Sequence, residues 1–207
     1  MKVLHIDCSP REGSHSRQLS AAMLQRVGEL VPITSVTRRD LGRDPIAHHG
    51  NDYATALSSV AGLMSADPKA FGQSETLITE VEASDIIILG TPMNNFTVPS
   101  TLKVWIDQLL RVGRTIIPTA DGGKVGAVTD RPVLVGIASG GVFAGERANQ
   151  PDFLTPYLTA ALGCIGLRSV HYLQVQATAF VDQPAIDAAR AEQIALIKAS
   201  MLAPAER

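Results

Sequence analysis

The sequence predicts an α/β fold: five parallel strands, doubly wound in the order 2-1-3-4-5, with helices on both faces of the sheet. Three observations predict it. Short β-favouring apolar runs alternate with longer segments of helical spacing along nearly the whole chain. One of these runs, Ile86-Ile-Ile-Leu89 followed by Gly90, is apolar throughout, as in a strand covered on both faces. Five such runs, rather than six, favour the shorter of the two common doubly wound orders.

Composition narrows the classes of function. With 207 residues, 45% hydrophobic and 18% charged, the chain has enough apolar material for a sizeable core and is not a disordered tail. No linker, repeat or low-complexity stretch divides it, so a single domain over residues 1–207 is expected. A formal net charge of −2 without a block of like charge argues against nucleic acid and membrane surfaces as partners. No run reaches the ~18 apolar residues of a membrane span. Cys8 and Cys164 form neither a CxxC pair nor a metal-ligand spacing, and no metal is expected. The N-terminus enters a strand at once and lacks the shape of a signal peptide, so cytoplasmic residence is expected.

In order, Lys2–Asp7 reads as the first strand, through Val3, Leu4 and Ile6. A loop follows, then a helix that Ser14 or Ser16 can cap and that carries Leu19, Ala22, Met23 and Val27. Val31–Arg38 reads as an edge-like second strand, and Asp40–Asp52 as irregular chain. Tyr53–Met64 and Ser74–Ala83 read as short helices, and Asp85–Gly90 is the central strand. Ser100 can cap a helix over Ser100–Arg111, with Leu102, Ile106, Leu109 and Leu110 on one face. Thr115-Ile-Ile117 and Asp121-Gly-Gly123 suggest a small hairpin at the ligand edge. Arg131–Ala138 is the fourth core strand, Asp152–Ile165 a helix, Ser169–Gln176 the fifth strand, and Pro184–Met201 the last helix, with Pro184 in its first turn.

In an open α/β sheet, ligands bind beyond the carboxyl ends of the strands. Three loops there carry unusual chemistry. In Ser9-Pro-Arg-Glu-Gly-Ser-His-Ser16, the free N–H groups of a helix N-terminus, the hydroxyls of Ser9, Ser14 and Ser16 and the charge of Arg11 suit a phosphate. The same residues also make an ordinary cap and turn. The loop has no GxGxxG pattern, and no GxxxxGK[ST] occurs in the chain, so neither the dinucleotide nor the ATP-type signature applies. Pro92-Met-Asn-Asn-Phe96 is a proline-stiffened loop that offers the faces of Met93 and Phe96 and backbone donors to a flat ligand, or packs for stability alone. Ser139-Gly-Gly141 allows either close backbone approach to a ligand or a turn with positive φ. Other polar residues read as structural: His48-His49 as solvated loop, His5 and His171 as satisfied strand residues, Cys8 as a small buried thiol, and Trp105 as core or subunit contact. Ser139 has no evident His/Asp pair, which disfavours a hydrolase.

At these residues the sequence resembles the FMN-dependent azoreductase family, within the flavodoxin-like NAD(P)H:quinone reductases. Ser9-Pro-Arg11 with Ser14-His-Ser16 resembles the family's FMN-phosphate loop, so Ser9, Arg11, Ser14, His15 and Ser16 are implied as phosphate-side ligands. Pro92, Met93, Asn94, Asn95 and Phe96 resemble the loop that contacts the isoalloxazine ring, with Asn94 where the family usually has Tyr. Val98–Asp107 is similar to the helix after that loop and is the most specific block. Ser139, Gly140 and Gly141 resemble the second ring loop, without the Arg that commonly lies between its Ser and glycines. Asp152–Tyr157 and Leu162–Gly166 match the family's later helix and the turn into the last strand. The resemblance implies non-covalent FMN, NADH or NADPH as co-substrate, two-electron reduction of quinones and azo compounds in a ping-pong cycle, and a homodimer with its active sites at the interface. The flavin would perform the hydride transfer; no residue of the sequence stands out as a required general acid, and water or a side chain of the dimer mate could serve. Two other readings share the fold: a non-enzymatic electron carrier, which usually needs an acidic docking face, and a regulator that has lost its flavin.

Overall fold

A computed structural model describes residues 1–203 of the chain. The central sheet consists of β1 (Lys2–Asp7), β2 (Ser35–Asp40), β3 (Ile86–Pro92), β6 (Val133–Ala138) and β7 (Val170–Val175). All four neighbouring pairs are parallel and the order is β2-β1-β3-β6-β7, the expected 2-1-3-4-5 arrangement. The two remaining strands among the described residues, β4 (Ile116–Pro118) and β5 (Lys124–Gly126), form the small antiparallel hairpin expected before β6. The α-helices are α1 (His15–Leu30), α2 (Asn51–Leu57), α3 (Val60–Ser65), α4 (Gly72–Ala83), α5 (Ser100–Leu109), α6 (Thr155–Ile165) and α7 (Gln183–Ala195), with short 3₁₀ turns at Pro68–Phe71 and Ala199–Leu202.

The strands β1, β3, β6 and β7 feed two cores because their side chains alternate between faces, whereas the edge strand β2 is largely exposed. Ile87 and Leu89 of β3 join a cluster built from α4, α5 and α6, including Leu77, Leu102, Trp105 and Leu162. Ile86 and Ile88 join a second cluster with Leu19, Met23 and Val27 of α1 and Ile186 of α7. That double burial is why the run reads as uniformly apolar. Each such side chain contributes about 1.5–3 kcal/mol of transfer free energy. Trp105 is core, with 1% of its surface exposed.

Helix α1 lies unusually close to the sheet. A Cβ on Gly90 would come within 2.7 Å of the Ser16 carbonyl oxygen and of the Ser20 side chain. The absent side chain therefore lets the start of α1 rest on the carboxyl end of β3. At the far side, α6 ends on Gly166, whose φ of 113° is left-handed and whose missing Cβ leaves room for the Val128 carbonyl.

Several boundaries differ from the sequence expectation, each for a local reason. The second strand runs Ser35–Asp40 rather than Val31–Arg38: Val31 is the C-cap of α1 and returns its N–H to Val27, while Arg39 and Asp40 pair with β1. The expected Tyr53–Met64 helix is two helices, because Ser59 starts α3 by accepting the Gly62 N–H. Helix α5 is capped at Pro99, not by the Ser100 hydroxyl, and ends at Leu109. Helix α6 begins at Thr155 because the Asp152 carboxylate takes the Leu154 and Thr155 N–H groups, 2.9 Å each, outside the helix. The last helix stops at Ala195, and Ala199–Leu202 is a 3₁₀ turn.

A buried arginine closes α4. Arg131, 8% exposed, donates to the Val81 and Glu82 carbonyls at 2.6 and 2.9 Å, to the Ser84 carbonyl and to the Thr129 carbonyl at 3.0 Å. It occupies the negative end of the helix dipole, takes the Glu82 and Ser84 carbonyls, and adds a donor to the Val81 carbonyl, which also accepts the Ser84 N–H and hydroxyl. Replacing Arg131 by Met keeps the stem packing and takes the guanidinium donors away from the Glu82 and Ser84 carbonyls. The expected cost is about 2–3 kcal/mol, read as a lowered denaturation midpoint at an unchanged m-value.

Candidate functional site

The three loops singled out in the sequence meet on one rim. They leave the carboxyl ends of β1, β3 and β6, which are adjacent strands in register: Asp7 lies opposite Gly90, and Pro92 opposite Ala138. Backbone bonds continue the sheet into the loops. Cys8 N–H donates to the Gly90 carbonyl at 2.9 Å, Met93 N–H to the Ala138 carbonyl at 2.9 Å, and Ser139 N–H to the Val175 carbonyl at 2.9 Å.

The first loop leaves hydrogen-bond donors free at the N-terminus of α1. Ser14 occupies the N-cap position of α1, but its hydroxyl does not cap the helix; it lies 2.9 Å from the Ser16 hydroxyl. Among the described residues, the N–H groups of His15 and Ser16 have no partner, and no acidic residue lies in the first turn. Ser9, Ser14 and Ser16 are nearly or fully buried around this end, whereas Arg11 is exposed. The His15 Nδ1 is buried without a partner, and burial, with the nearby charges of Arg11 and Arg190, lowers its pKa.

Beneath the loop runs a charge network that sequence motifs do not reveal. Arg17 donates from Nε to the Ser9 carbonyl at 2.7 Å and grips both oxygens of Asp40 with its guanidinium. Its Nη1 is 3.7 Å from Asp7, whose other oxygen accepts the Ser20 hydroxyl at 2.7 Å. The Arg17 hydrogen bonds hold the Asp40 carboxyl below the usual carboxylate range against the opposing effect of burial. His5 is not fully satisfied. Its Nδ1 meets Arg38 at 2.8 Å, but its Nε2 has no partner within hydrogen-bond distance among the described residues, and burial lowers its pKa. Burial also pushes the Cys8 thiol well up, so it is the inert small residue expected rather than a nucleophile.

The second loop is a two-residue reversal. Asn94 and Thr97 exchange backbone hydrogen bonds of 3.0 and 3.1 Å, and the central residues Asn95 and Phe96 have φ of 47° and 73°. Two positive φ values mark a type I′ geometry, tolerable for Asn and costly for Phe by roughly 1–3 kcal/mol. Strain of this kind is retained where the backbone must present something. Here the Asn95 and Phe96 N–H groups have no partner among the described residues, and Phe96 is 44% exposed. Met93 is buried beneath them, Pro92 is half-buried and Asn94 is exposed.

In the third loop Ser139 is buried, and neither glycine has a positive φ, so the turn reading of Gly140–Gly141 is set aside. Gly141 is a matter of space instead: a Cβ there would sit 2.6 Å from the Gln150 side-chain oxygen. Gly140 and Gly141 keep free N–H groups, while their carbonyls accept from Ala179 and Ala177 of the segment after β7. Gln176 fixes the far side of the loop, its oxygen accepting the Phe143 and Ala144 N–H groups at 2.7 and 2.9 Å. Gln150, Gln176 and Arg17 escaped the sequence reading because their partners lie on distant segments.

This donor set fits a flat heterocycle with a phosphate tail: unpaired amides and hydroxyls at a helix N-terminus, then two further pairs of free amides along the same rim. No group of His, Cys, Asp and Glu among the described residues could hold a metal ion. No helix of the described residues is long and apolar enough to cross a membrane.

The class follows from the sheet order and the rim, and comparison with known proteins agrees. A family model described as a flavodoxin-like fold matches residues 1–197. The chain is 43% identical over 182 residues to "FMN-dependent NADH:quinone oxidoreductase 4" of Pseudomonas fluorescens, covering 87% of this chain and 86% of that protein. It is 44% identical over 192 residues to "FMN-dependent NADH:quinone oxidoreductase 5" of Burkholderia lata, covering 92% and 91%. The chain belongs to this flavodoxin-like family of FMN-dependent quinone oxidoreductases. Among solved structures, an azoreductase from Bacillus anthracis superposes with a TM-score of 0.79 at 22% identity, covering 95% of this chain and 98% of that one, a likeness of fold.

Proposed function

We propose that the protein is an FMN-dependent oxidoreductase that reduces quinones and azo compounds by two electrons at the expense of NADH or NADPH. The observation that carries it is the convergence of the three donor-bearing loops on one rim. Ser9, Ser14, Ser16 and the first amides of α1 would hold the phosphate, with Arg11 and His15 flanking it. Met93 and the Asn95–Phe96 turn would hold one edge of the ring, and Ser139, Gly140 and Gly141 another. Amides aimed at a ring edge stabilise negative charge there at no reorganisation cost. Bound FMN supplies the hydride chemistry that none of these side chains could perform alone.

The remaining residues shape a place for a planar second substrate. Phe96, Phe153 and Phe180 are 44%, 60% and 78% exposed, and their backbones border the same loops. Phe153 N–H donates to the Phe96 carbonyl at 3.0 Å, and the segment carrying Phe180 is bonded to Ser139–Gly141. Exposed phenyl rings on segments that border these loops would favour flat aromatic acceptors. The nucleotide and the acceptor would use this place in turn, giving ping-pong kinetics and, with azo compounds, cleavage to amines. A homodimer that covers these rings, built from single domains spanning 1–207, completes the reading.

Purified protein tests it. It is expected to show flavin absorption near ~450 nm, to reduce a benzoquinone with NADH without any added reductase, and to give parallel double-reciprocal lines. A colourless preparation that takes up no added FMN, or one that needs a separate reductase, would reject the proposal in favour of the flavin-free or electron-carrier reading.

A further inference from the structure

Gln150 lies outside every motif, yet it touches both ring-side loops. Its amide nitrogen donates to the Ser139 hydroxyl at 3.0 Å and reaches the Met93 sulfur at 3.4 Å. Ser139 and Met93 themselves are 3.9 Å apart. The Gln150 oxygen lies where a Cβ on Gly141 would come within 2.6 Å. Its own backbone is fixed, because residues 142–150 form a loop closed at the neck. The Asn149 and Gln150 N–H groups both donate to the Val142 carbonyl, at 2.9 and 3.2 Å, and the Asn149 side chain accepts the Val142 N–H at 3.3 Å. Three residues on, Phe153 N–H takes the Phe96 carbonyl.

We propose that Gln150 is a positioning residue: its carboxamide ties the loop after β3 to the loop after β6 and sets the separation between the free amides of Asn95–Phe96 and those of Gly140–Gly141. The inference rests on the proposed flavin site for its consequence, but the brace itself is a property of this chain. Among the described residues the other side-chain bridges between the two loops are the weak Ser139–Met93 contact and a long 3.5 Å bond from the Thr97 hydroxyl to the Phe153 carbonyl. A short hydroxyl and a thioether cannot span them firmly; a carboxamide, with two donors and an acceptor in one plane, can. It also explains why position 141 is glycine although its φ is ordinary: the carboxamide fills the space of a side chain. Binding groups hold a ligand productively only when their own positions are fixed to about half an ångström by such supports.

Two substitutions test it. Gln150→Met keeps length and volume and removes the donor. Gln150→Glu keeps the length and regains a donor only when its carboxyl is protonated. In the flavin-free proteins, hydrogen exchange of the Asn94, Thr97 and Phe153 amides is expected to quicken about tenfold with Gln150→Met, while β1 and β2 amides stay protected. Riboflavin, which has no phosphate, isolates the ring-side loops: its dissociation constant is expected to rise roughly tenfold with Gln150→Met. With Gln150→Glu it is expected to return toward wild type as pH falls below about 5, near the carboxyl's titration, and with Gln150→Met to stay flat. A lowered melting temperature with unchanged exchange and unchanged riboflavin affinity would mean a merely structural residue and overturn the proposal. If the wild-type protein binds neither FMN nor riboflavin, the proposed function fails, and the exchange measurement alone decides for or against the brace.

Discussion

Ser16→Asp is expected to abolish useful FMN binding while leaving the fold intact. Ser16 is fully buried at the first turn of α1, and its hydroxyl touches only that of Ser14. A carboxylate placed there would take the unpaired amides of the helix N-terminus for itself, and the helix dipole would welcome it. The helix therefore tolerates the change. The phosphate does not, because it needs the same amides and carries the same sign. At an effective dielectric of about 20, two unit charges about 4 Å apart repel by about 4 kcal/mol, on the order of a thousandfold in affinity. Riboflavin, without a phosphate, should lose far less. Titration of apo-protein with FMN and riboflavin, by quenching of flavin fluorescence, measures both. Equal FMN affinity in wild type and variant would remove the phosphate from this helix and with it the functional reading.

The variant can be named without a bound ligand because some physical signals are contiguous in sequence and others are not. The uniform run Ile86–Leu89 reports burial on both faces, and one pass along the chain recovers it. The three rim loops were legible for the same reason: each is a single short segment rich in donors, glycine or proline next to a strand. The end of β2 was not. Arg39 and Asp40 look like loop residues, and they extend the strand because Glu80 and Arg17, far off in sequence, pair with them. The conformation of the Asn95–Phe96 turn was half legible, since Asn favours positive φ and Phe does not. The role of Gly141 was hidden for want of its partner: two adjacent glycines suggest backbone freedom, and only the position of Gln150 shows that the issue is volume. What the sequence concealed is thus the layer behind the ligand-facing groups, where a residue acts through a neighbour brought to it by the fold.

Arg17 belongs to that layer, and Arg17→Met is expected to damage stability and binding together with a pH signature of its own. Three attachments go at once: the bond to the Ser9 carbonyl, the two-pronged contact with Asp40 and the proximity to Asp7. Two partly buried carboxylates lose their main cation. Complete burial would make this cost about 3–5 kcal/mol; with Asp40 25% and Asp7 16% exposed, solvent screens part of it and about 3 kcal/mol is expected at neutral pH. Because Asp40 titrates below its unfolded value, the stabilisation it shares with Arg17 is present above about pH 4 and is lost as pH falls through the lower folded value. Wild type and variant should therefore differ most near pH 7 and converge toward pH 3, as urea denaturation at several pH values would show. FMN affinity should fall about tenfold, since Ser9 is freed to move while the amides of α1 remain. A stability gap that is constant from pH 7 to pH 3 would mean that the Arg17 bond to the Ser9 carbonyl, and not its pairing with the carboxylates, supports the phosphate loop.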